Sequence, residues 1–143
     1  MKPLEAASPS ALLALVWFCF FVVALSVPVV LLLTSSIEHP AELPAIEQVS
    51  ALYAPHLGAV IAFYFAAKSK TGPRKRTKSG PFVAAILVSL IWNLLVAGAL
   101  ILVPIGRMNI DDSLAFASGT GTKLAWLVAP ALGYFFAKPG EHA

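Results

Sequence analysis

Residues 11–33 read ALLALVWFCFFVVALSVPVVLLL, an apolar run without a single charged side chain. About 20 apolar residues are enough for one helical crossing of the hydrocarbon core of a bilayer. The apolar part of a signal peptide is shorter, about 7–15 residues, and ends near a small-residue cleavage site. The sequence after this run offers no such site. The stretch therefore predicts a retained first transmembrane helix.

Three further apolar runs extend the same pattern along the chain. They cover residues 49–67, 82–105 and 120–137, and the last is long enough only if the polar residues 120–123 belong to it. Hydrophobic residues make up 59% of the sequence and charged residues 12%, which leaves too little polar surface for a soluble fold. We therefore predict an all-α polytopic membrane protein, with a single transmembrane domain over residues 1–143 and four transmembrane helices.

The charged residues orient these helices. Residues 34–48 carry Glu but neither Lys nor Arg, whereas the connection at residues 68–81 is basic and holds no acid. Because short loops rich in Lys and Arg stay in the cytoplasm, we expect both termini on the cytoplasmic side, in a bacterial inner (plasma) membrane. The basic side chains of this connection are Lys68, Lys70, Arg74, Lys75, Arg76 and Lys78.

Two interpretations of this basic loop remain open. Loops of this kind ordinarily determine topology, and Pro and Gly at both ends of this one are typical turn residues. Alternatively, the loop docks anionic lipid or an acidic protein. No aromatic side chains are interleaved with the basic ones, so we do not expect nucleic acid as a partner.

A short motif indicates that the chain contains two similar halves. APHLG at residues 54–58 returns as APALG at residues 129–133, and the same shift of 75 positions carries Trp17 onto Trp92. We infer two tandem helical hairpins, residues 11–67 and 82–138, that form a parallel internal repeat. Duplication of a hairpin predicts a pseudo-twofold axis along the membrane normal. Both tryptophans lie deeper than interfacial residues usually do, which predicts that they pack in the core.

The second helix of each hairpin is interrupted by proline and glycine. Pro55 and Gly58 occur in the first hairpin, and Pro130 and Gly133 occupy the corresponding positions of the second. Proline frees a backbone carbonyl, and small residues let another helix approach closely. We therefore expect these faces to pack against a neighbouring helix. Interrupted helices in matching positions also indicate a transport site.

Three polar side chains lie inside the apolar runs. His56 is ionisable and has Ala131 as its counterpart in the repeat, while Ser89 and Asn93 share one face of the third helix. Polar residues in a membrane face protein or water, so this face of the third helix should point inward. His56 either hydrogen-bonds a freed carbonyl or handles protons or cations. Asn93 either hydrogen-bonds a neighbouring helix or lines a pore.

Aromatic residues also cluster near the predicted cytoplasmic ends of the second and fourth helices. They occupy residues 63–65 and 134–136, shortly before Lys68 and Lys138. Aromatic belts of this kind are typical of the membrane interface, so we expect these side chains to anchor the helix ends there.

Two classes of function follow from these features. An enzyme is not expected, because no nucleophile with a base, zinc-protease motif or phosphate-binding glycine loop occurs; we also expect no cofactor and no metal site. The interrupted helices favour a small homo-oligomeric channel or transporter for ions or small solutes. The alternative is a non-transporting membrane partner or effector subunit that docks a cytoplasmic protein or anionic lipid through the basic loop. Candidate transport or gating residues are His56, Ser89, Asn93, Pro55, Gly58, Pro130 and Gly133.

Overall fold

The computed structural model describes residues 8–34, 42–69 and 79–137, and over these ranges it contains four α-helices and no strand. They are α1 (Pro9–Thr34), α2 (Glu42–Ser69), α3 (Ser79–Ile101) and α4 (Ile110–Ala137). The prediction of an all-α chain with four helices is confirmed for the described residues.

Judged on the described residues, two of the four helices are long and apolar enough to cross a membrane. They are α1, Pro9–Thr34, and the segment Gly80–Ile101 of α3. In α2 and α4, polar and charged side chains such as Glu47, His56 and Lys123 interrupt the apolar residues. Membrane crossing by α2 and α4 therefore remains a prediction.

The fourth helix begins ten residues before its predicted start at residue 120. Asn109 caps it: its Oδ1 accepts a hydrogen bond from the Asp112 N–H at 2.7 Å, and its Nδ2 donates to Asp112 Oδ2 at 2.7 Å. Asp111 and Asp112 occupy the first turn, where negative charge interacts favourably with the helix dipole. The boundary was missed because residues 111–123 are too polar to count as an apolar run.

The third helix ends at Ile101, before its predicted end at residue 105. Pro104 disfavours helical conformation in the residue before it. Gly106 then adopts a positive φ of 70°, which glycine tolerates without a side-chain clash, and its N–H donates to the Val103 carbonyl at 2.9 Å. This turn brings the chain back into α4.

Each helix packs against two others. The pairs in contact are α1 with α2, α3 with α4, α1 with α3, and α2 with α4. The connected pairs are antiparallel. Across α1 and α2, Trp17 meets His56 whereas the later Phe21 meets the earlier Tyr53. Across α3 and α4, Trp92 reaches Gly121 whereas the earlier Phe82 meets the later Phe135. The other two pairs are parallel, as α2 and α4 show: Leu52 lies beside Gly121, and further along both helices Phe63 stacks on Phe136.

This pairing contradicts the expected pseudo-twofold axis along the bundle. A central twofold that exchanged the hairpins would place α1 and α3 on one diagonal and α2 and α4 on the other. Instead these like helices are neighbours, and the diagonal pairs, α1 with α4 and α2 with α3, have at most marginal contact among the described residues. The hairpins therefore lie side by side. The internal repeat itself stays a prediction from the sequence.

Apolar side chains cover the outside of the bundle as well as its interior. In α1, for example, the helix exposes large hydrophobic residues along most of its length while Trp17 is completely buried. Exposed large side chains occur on all four helices and include Leu15, Phe18, Ile61, Phe65, Leu87, Leu94, Trp126 and Tyr134.

Candidate functional site

Four ring side chains meet at the centre of the bundle and are called here the central aromatic cluster: Trp17 of α1, Tyr53 and His56 of α2, and Trp92 of α3. Ring centroids lie 5.1 Å apart for Trp17 and Trp92, 5.1 Å for Trp17 and His56, and 4.9 Å for His56 and Trp92. Tyr53 stands edge-on to Trp92 at 5.1 Å. Trp17, Tyr53 and Trp92 have no exposed surface. The prediction that both tryptophans pack in the core is confirmed.

Helical spacing explains how α2 presents its two rings. Val49, Tyr53, His56 and Val60 follow one another at intervals of three or four residues, so they lie on one face of the helix. All four are buried. Neighbouring positions are turned away from this face, and Pro55 is exposed as a result.

The two buried indoles donate hydrogen bonds to other helices. Trp17 Nε1 donates to Ser89 Oγ at 3.0 Å, which links α1 to α3. Trp92 Nε1 donates to the Gly121 carbonyl at 2.9 Å, which links α3 to α4. Buried tryptophans usually require such a partner. Ser89 therefore holds Trp17 in place, and the expected inward direction of its helix face is confirmed.

Gly121 lets α4 approach the cluster and is absent from the residues that the sequence predicted. A Cβ atom at this position would lie 3.0 Å from Leu52 Cδ1 and 3.3 Å from both Trp92 Cζ2 and Val96 Cγ2. Any larger residue would push these side chains or the helix outward. In the sequence, Gly121 is one of several small residues at positions 117–122. Only its close approach to Leu52 and Trp92 distinguishes it from the exposed Gly119.

Asn93 is completely buried, but it does not make the expected bond to a neighbouring helix. Its Nδ2 donates to the Ser89 carbonyl of its own helix at 2.8 Å, and its Oδ1 has no hydrogen-bond partner. Tyr53 Oη and Ser113 Oγ are also buried without a partner. Each such atom costs about 1–3 kcal/mol when it is left unpaired. These three buried polar atoms therefore have no hydrogen-bond partner within the described part of the chain.

His56 interacts through its ring faces. Its side chain is 8% exposed and stacks on Trp17 with 30° between the ring planes, while Trp92 stands edge-on to it. Among the described residues, its imidazole makes no hydrogen bond to a carbonyl freed by proline. The alternative in which His56 caps such a carbonyl is therefore not seen.

The proline and glycine faces point away from the site. Pro55, Gly58 and Pro130 are exposed, and Gly133 is half-buried. A Cβ atom added at Gly58 or Gly133 would meet nothing within 4 Å. These faces therefore do not pack against another helix within the described part of the chain, and their contact with a helix of another molecule stays a prediction. The bulky rings occupy the inside of α2, so the small residues are turned outward.

The aromatic residues near the helix ends pack partly against each other. Phe63 of α2 stacks on Phe136 of α4 with 5.1 Å between ring centroids and 10° between ring planes. Phe135 is buried and contacts Phe82 at 5.7 Å. Phe65 and Tyr134 remain exposed, and interface anchoring by these aromatic residues stays a prediction.

Several predicted residues lie outside the described part of the chain. Lys70, Arg74, Lys75, Arg76 and Lys78 of the basic loop belong to residues 70–78, and at Lys68 only the backbone is described. Their roles in topology or docking remain predictions. Within the described residues, no three His, Cys, Asp or Glu side chains are grouped so that they would hold a metal ion.

No protein-family model, curated protein or solved structure matches this chain. The structure defines the class of the protein as an all-helical chain, with four helices in its described part, two of which are able to cross a membrane. Any statement about function therefore rests on the chemistry of its own residues.

Proposed function

We propose that the protein is integral to a membrane and that all four helices cross the bilayer. The apolar outer surfaces of α2 and α4 support this, since Phe65 is 62% exposed and Trp126 69% exposed. Large apolar side chains exposed on every helix of a bundle are characteristic of lipid contact. Each of these helices has 28 residues and is about 42 Å long, which exceeds the hydrocarbon thickness of about 30 Å.

The proposed orientation has both termini and the basic loop in the cytoplasm. We expect alkaline phosphatase fused after residue 143 to be inactive, because this enzyme needs the oxidising periplasm. The same enzyme inserted between Gly106 and Arg107, in the turn between α3 and α4, should be active. The opposite pattern in this matched pair would reverse the proposed topology.

Within the membrane, we propose that the chain acts as a non-transporting partner or effector subunit. The observation that carries this proposal is that side chains fill the interior of the bundle around the candidate transport residues His56, Ser89 and Asn93. Trp17, Tyr53 and Trp92 occupy the space between the helices, and Asn93 is enclosed with them. A polar side chain that is completely buried in this filled interior does not line a continuous conduit for ions or solutes.

Such a subunit would use two surfaces. The outward face of α2 that bears Pro55 and Gly58 presents little side-chain bulk, which suits contact with another transmembrane helix. The basic loop would dock anionic lipid or an acidic cytoplasmic protein.

A homo-oligomeric channel is the second candidate, and the outward position of Pro55 and Gly58 favours it. Small residues on the outside let copies of the chain approach closely, so a pathway would have to form between copies. In such an assembly His56 and Asn93 would face the interior of each copy instead of the pathway.

Flux through purified protein in liposomes separates the two functions. We expect K⁺, Na⁺, Cl⁻ and proton flux no higher than in protein-free vesicles, because the bundle interior is filled. Flux that falls in Gly58→Leu but persists in Asn93→Leu would contradict the partner proposal and establish a pathway between copies. Flux that falls in Asn93→Leu and in His56→Ala would indicate a conduit inside the bundle.

A further inference from the structure

Lys123 occupies the middle of α4. It follows Ile110 by thirteen residues and precedes Ala137 by fourteen, so it lies about 20 Å from either helix end. It is two residues beyond Gly121, which touches Leu52 and Trp92 at the level of the central aromatic cluster. If α4 crosses the bilayer, Lys123 is therefore near its mid-plane.

The side chain of Lys123 points away from the bundle and is exposed. Within the described residues it forms no ion pair. The other basic side chain that the structure describes, Arg107, lies in the turn between α3 and α4. Lys123 thus places an isolated positive charge on the outer surface, at half the height of the bundle.

An unpaired charge at this depth is unfavourable. A Lys at the centre of a transmembrane helix costs about 2.5–3.5 kcal/mol on insertion scales, and simulations of isolated helices give more. Snorkelling relieves this cost mainly for residues near helix ends. Because Lys123 lies in the middle of its helix, a carboxylate brought to the same depth by another helix is the compensation that its position best fits.

The residues around Lys123 suit contact with a second helix. Gly119, Lys123, Trp126 and Pro130 lie at intervals of three or four residues and so share one face of α4, called here the docking face. All four are exposed. A Cβ atom at Gly119 would meet nothing within 4 Å, which leaves room for a close approach beside the ammonium group.

A second copy of the chain does not supply the missing carboxylate from its described residues. Asp111 and Asp112 lie about 17 Å from Lys123 along α4. Leu52 lies beside Gly121, so the two residues are at the same height in the bundle. Glu47 comes five residues before Leu52, and Lys123 comes two residues after Gly121. Because α2 and α4 are parallel, Glu47 lies about 10 Å nearer than Lys123 to the end of the bundle where both helices begin. In a copy related by an axis along the membrane normal, each of these heights is unchanged, so none of the three matches Lys123.

We propose that the docking face of α4 binds a transmembrane helix of another protein, and that this helix carries an Asp or Glu side chain at mid-membrane that pairs with Lys123. The proposal rests on the membrane-embedded partner function given above and specifies its partner. The attraction between Lys123 and the carboxylate at low dielectric makes the contact specific for a helix that carries such a group. Because Gly119 has no side chain, the backbone of that helix can approach α4 closely.

The test measures energy transfer between the labelled full-length protein and a synthetic transmembrane peptide in neutral phosphatidylcholine vesicles. The peptide is a Leu/Ala helix with Glu at its centre, compared with otherwise identical peptides that carry Leu or Gln there. We expect the Glu peptide to bind the wild-type chain at least about tenfold more tightly than the Leu peptide. Lys123→Met, which keeps the side-chain length, should abolish this preference.

A charge exchange makes the test independent of any general effect of the substitution. Lys123→Glu should prefer a peptide with a central Lys over one with a central Glu. Equal binding of the Glu and Leu peptides to the wild-type chain, or a Glu preference that survives in Lys123→Met, would overturn the proposal.

A second measurement separates failure of this inference from failure of the membrane assignment. In a Cys19→Ala background, Thr122→Cys should resist a membrane-impermeant maleimide, while Arg107→Cys should react. If Thr122→Cys is shielded but no Glu preference is found, the proposed partner chemistry alone is wrong. If Thr122→Cys reacts as readily as Arg107→Cys, α4 is not embedded and the proposed function fails with it.

Discussion

Trp92→Ala should lower the free energy of unfolding by about 3–5 kcal/mol, the range for truncation of a buried Trp in a packed core. Trp92 has no exposed surface and contacts the rings of Trp17, Tyr53 and His56. Its loss would open a cavity at the layer where all four helices meet and leave the Gly121 carbonyl without its indole donor. Unfolding by SDS in mixed micelles, followed by circular dichroism, measures the change.

Trp126→Ala is the matched control for this prediction. Trp126 is 69% exposed, so its truncation should change the stability by less than about 0.5 kcal/mol. Trp92→Phe should fall between the two, since it retains most of the ring packing and loses the hydrogen bond. Equal effects of Trp92→Ala and Trp126→Ala would show that the central aromatic cluster does not form the core.

Gly121→Ala should destabilise the bundle by about 1–3 kcal/mol, although alanine is intrinsically the better helix former. The added Cβ atom would meet Leu52 Cδ1 at 3.0 Å and Trp92 Cζ2 at 3.3 Å. Leu52 can adjust its side chain, whereas Trp92 is held by its hydrogen bond and by the surrounding rings. We therefore expect α4 to move outward and the hydrogen bond from Trp92 to weaken. The same unfolding assay measures the resulting loss of stability.

Gly119→Ala provides the comparison within the same helix. A Cβ atom at Gly119 meets nothing within 4 Å, so this substitution should be neutral or stabilise the bundle by up to about 1 kcal/mol. A stabilising effect of both substitutions would mean that α4 does not approach α2 and α3 as closely as the structure indicates.

The helical class and part of the core could be predicted because they depend on local chemistry. Long apolar runs predict helices, and the polar residues Ser89 and Asn93 identify the inner face of α3, since they are unfavourable in lipid. His56 is identified by the same reasoning, whereas Trp17 and Trp92 are identified by the repeat and by their depth in the apolar runs. Their meeting in one layer follows from contacts between distant parts of the chain, which no local pattern contains.

The rotational setting of α2 could not be predicted from apolarity. In a helix that is apolar on all sides, hydrophobicity does not distinguish the inner face from the outer, because lipid is as apolar as the core. The small residues that include Gly58 predict only a close contact with a neighbouring helix, and they do not show whether that helix lies inside the bundle or outside it. The structure instead buries Tyr53 beside His56, because large rings fill the central space and small residues would leave it empty.

The pairing of the hairpins and the start of α4 could not be predicted from the sequence either. Which helices become neighbours depends on the fit of whole surfaces, so the repeat could not establish a symmetry axis. The first turns of α4 depend on the capping side chain of Asn109 and on charge near the helix terminus. A search for apolar runs detects neither the capping side chain nor the charge near the helix terminus.

The burial of Trp17 and Trp92 and the exposure of Trp126 give the protein two kinds of intrinsic fluorophore. The ring centroids of the two inner indoles lie 5.1 Å apart, and each lies within 5.1 Å of the His56 imidazole, so their emission responds to the arrangement of the four rings. Trp126 stands on the docking face, and its emission responds to what surrounds α4. Light emission from the unlabelled chain therefore reports the integrity of the interior and the occupancy of the outer surface through separate residues.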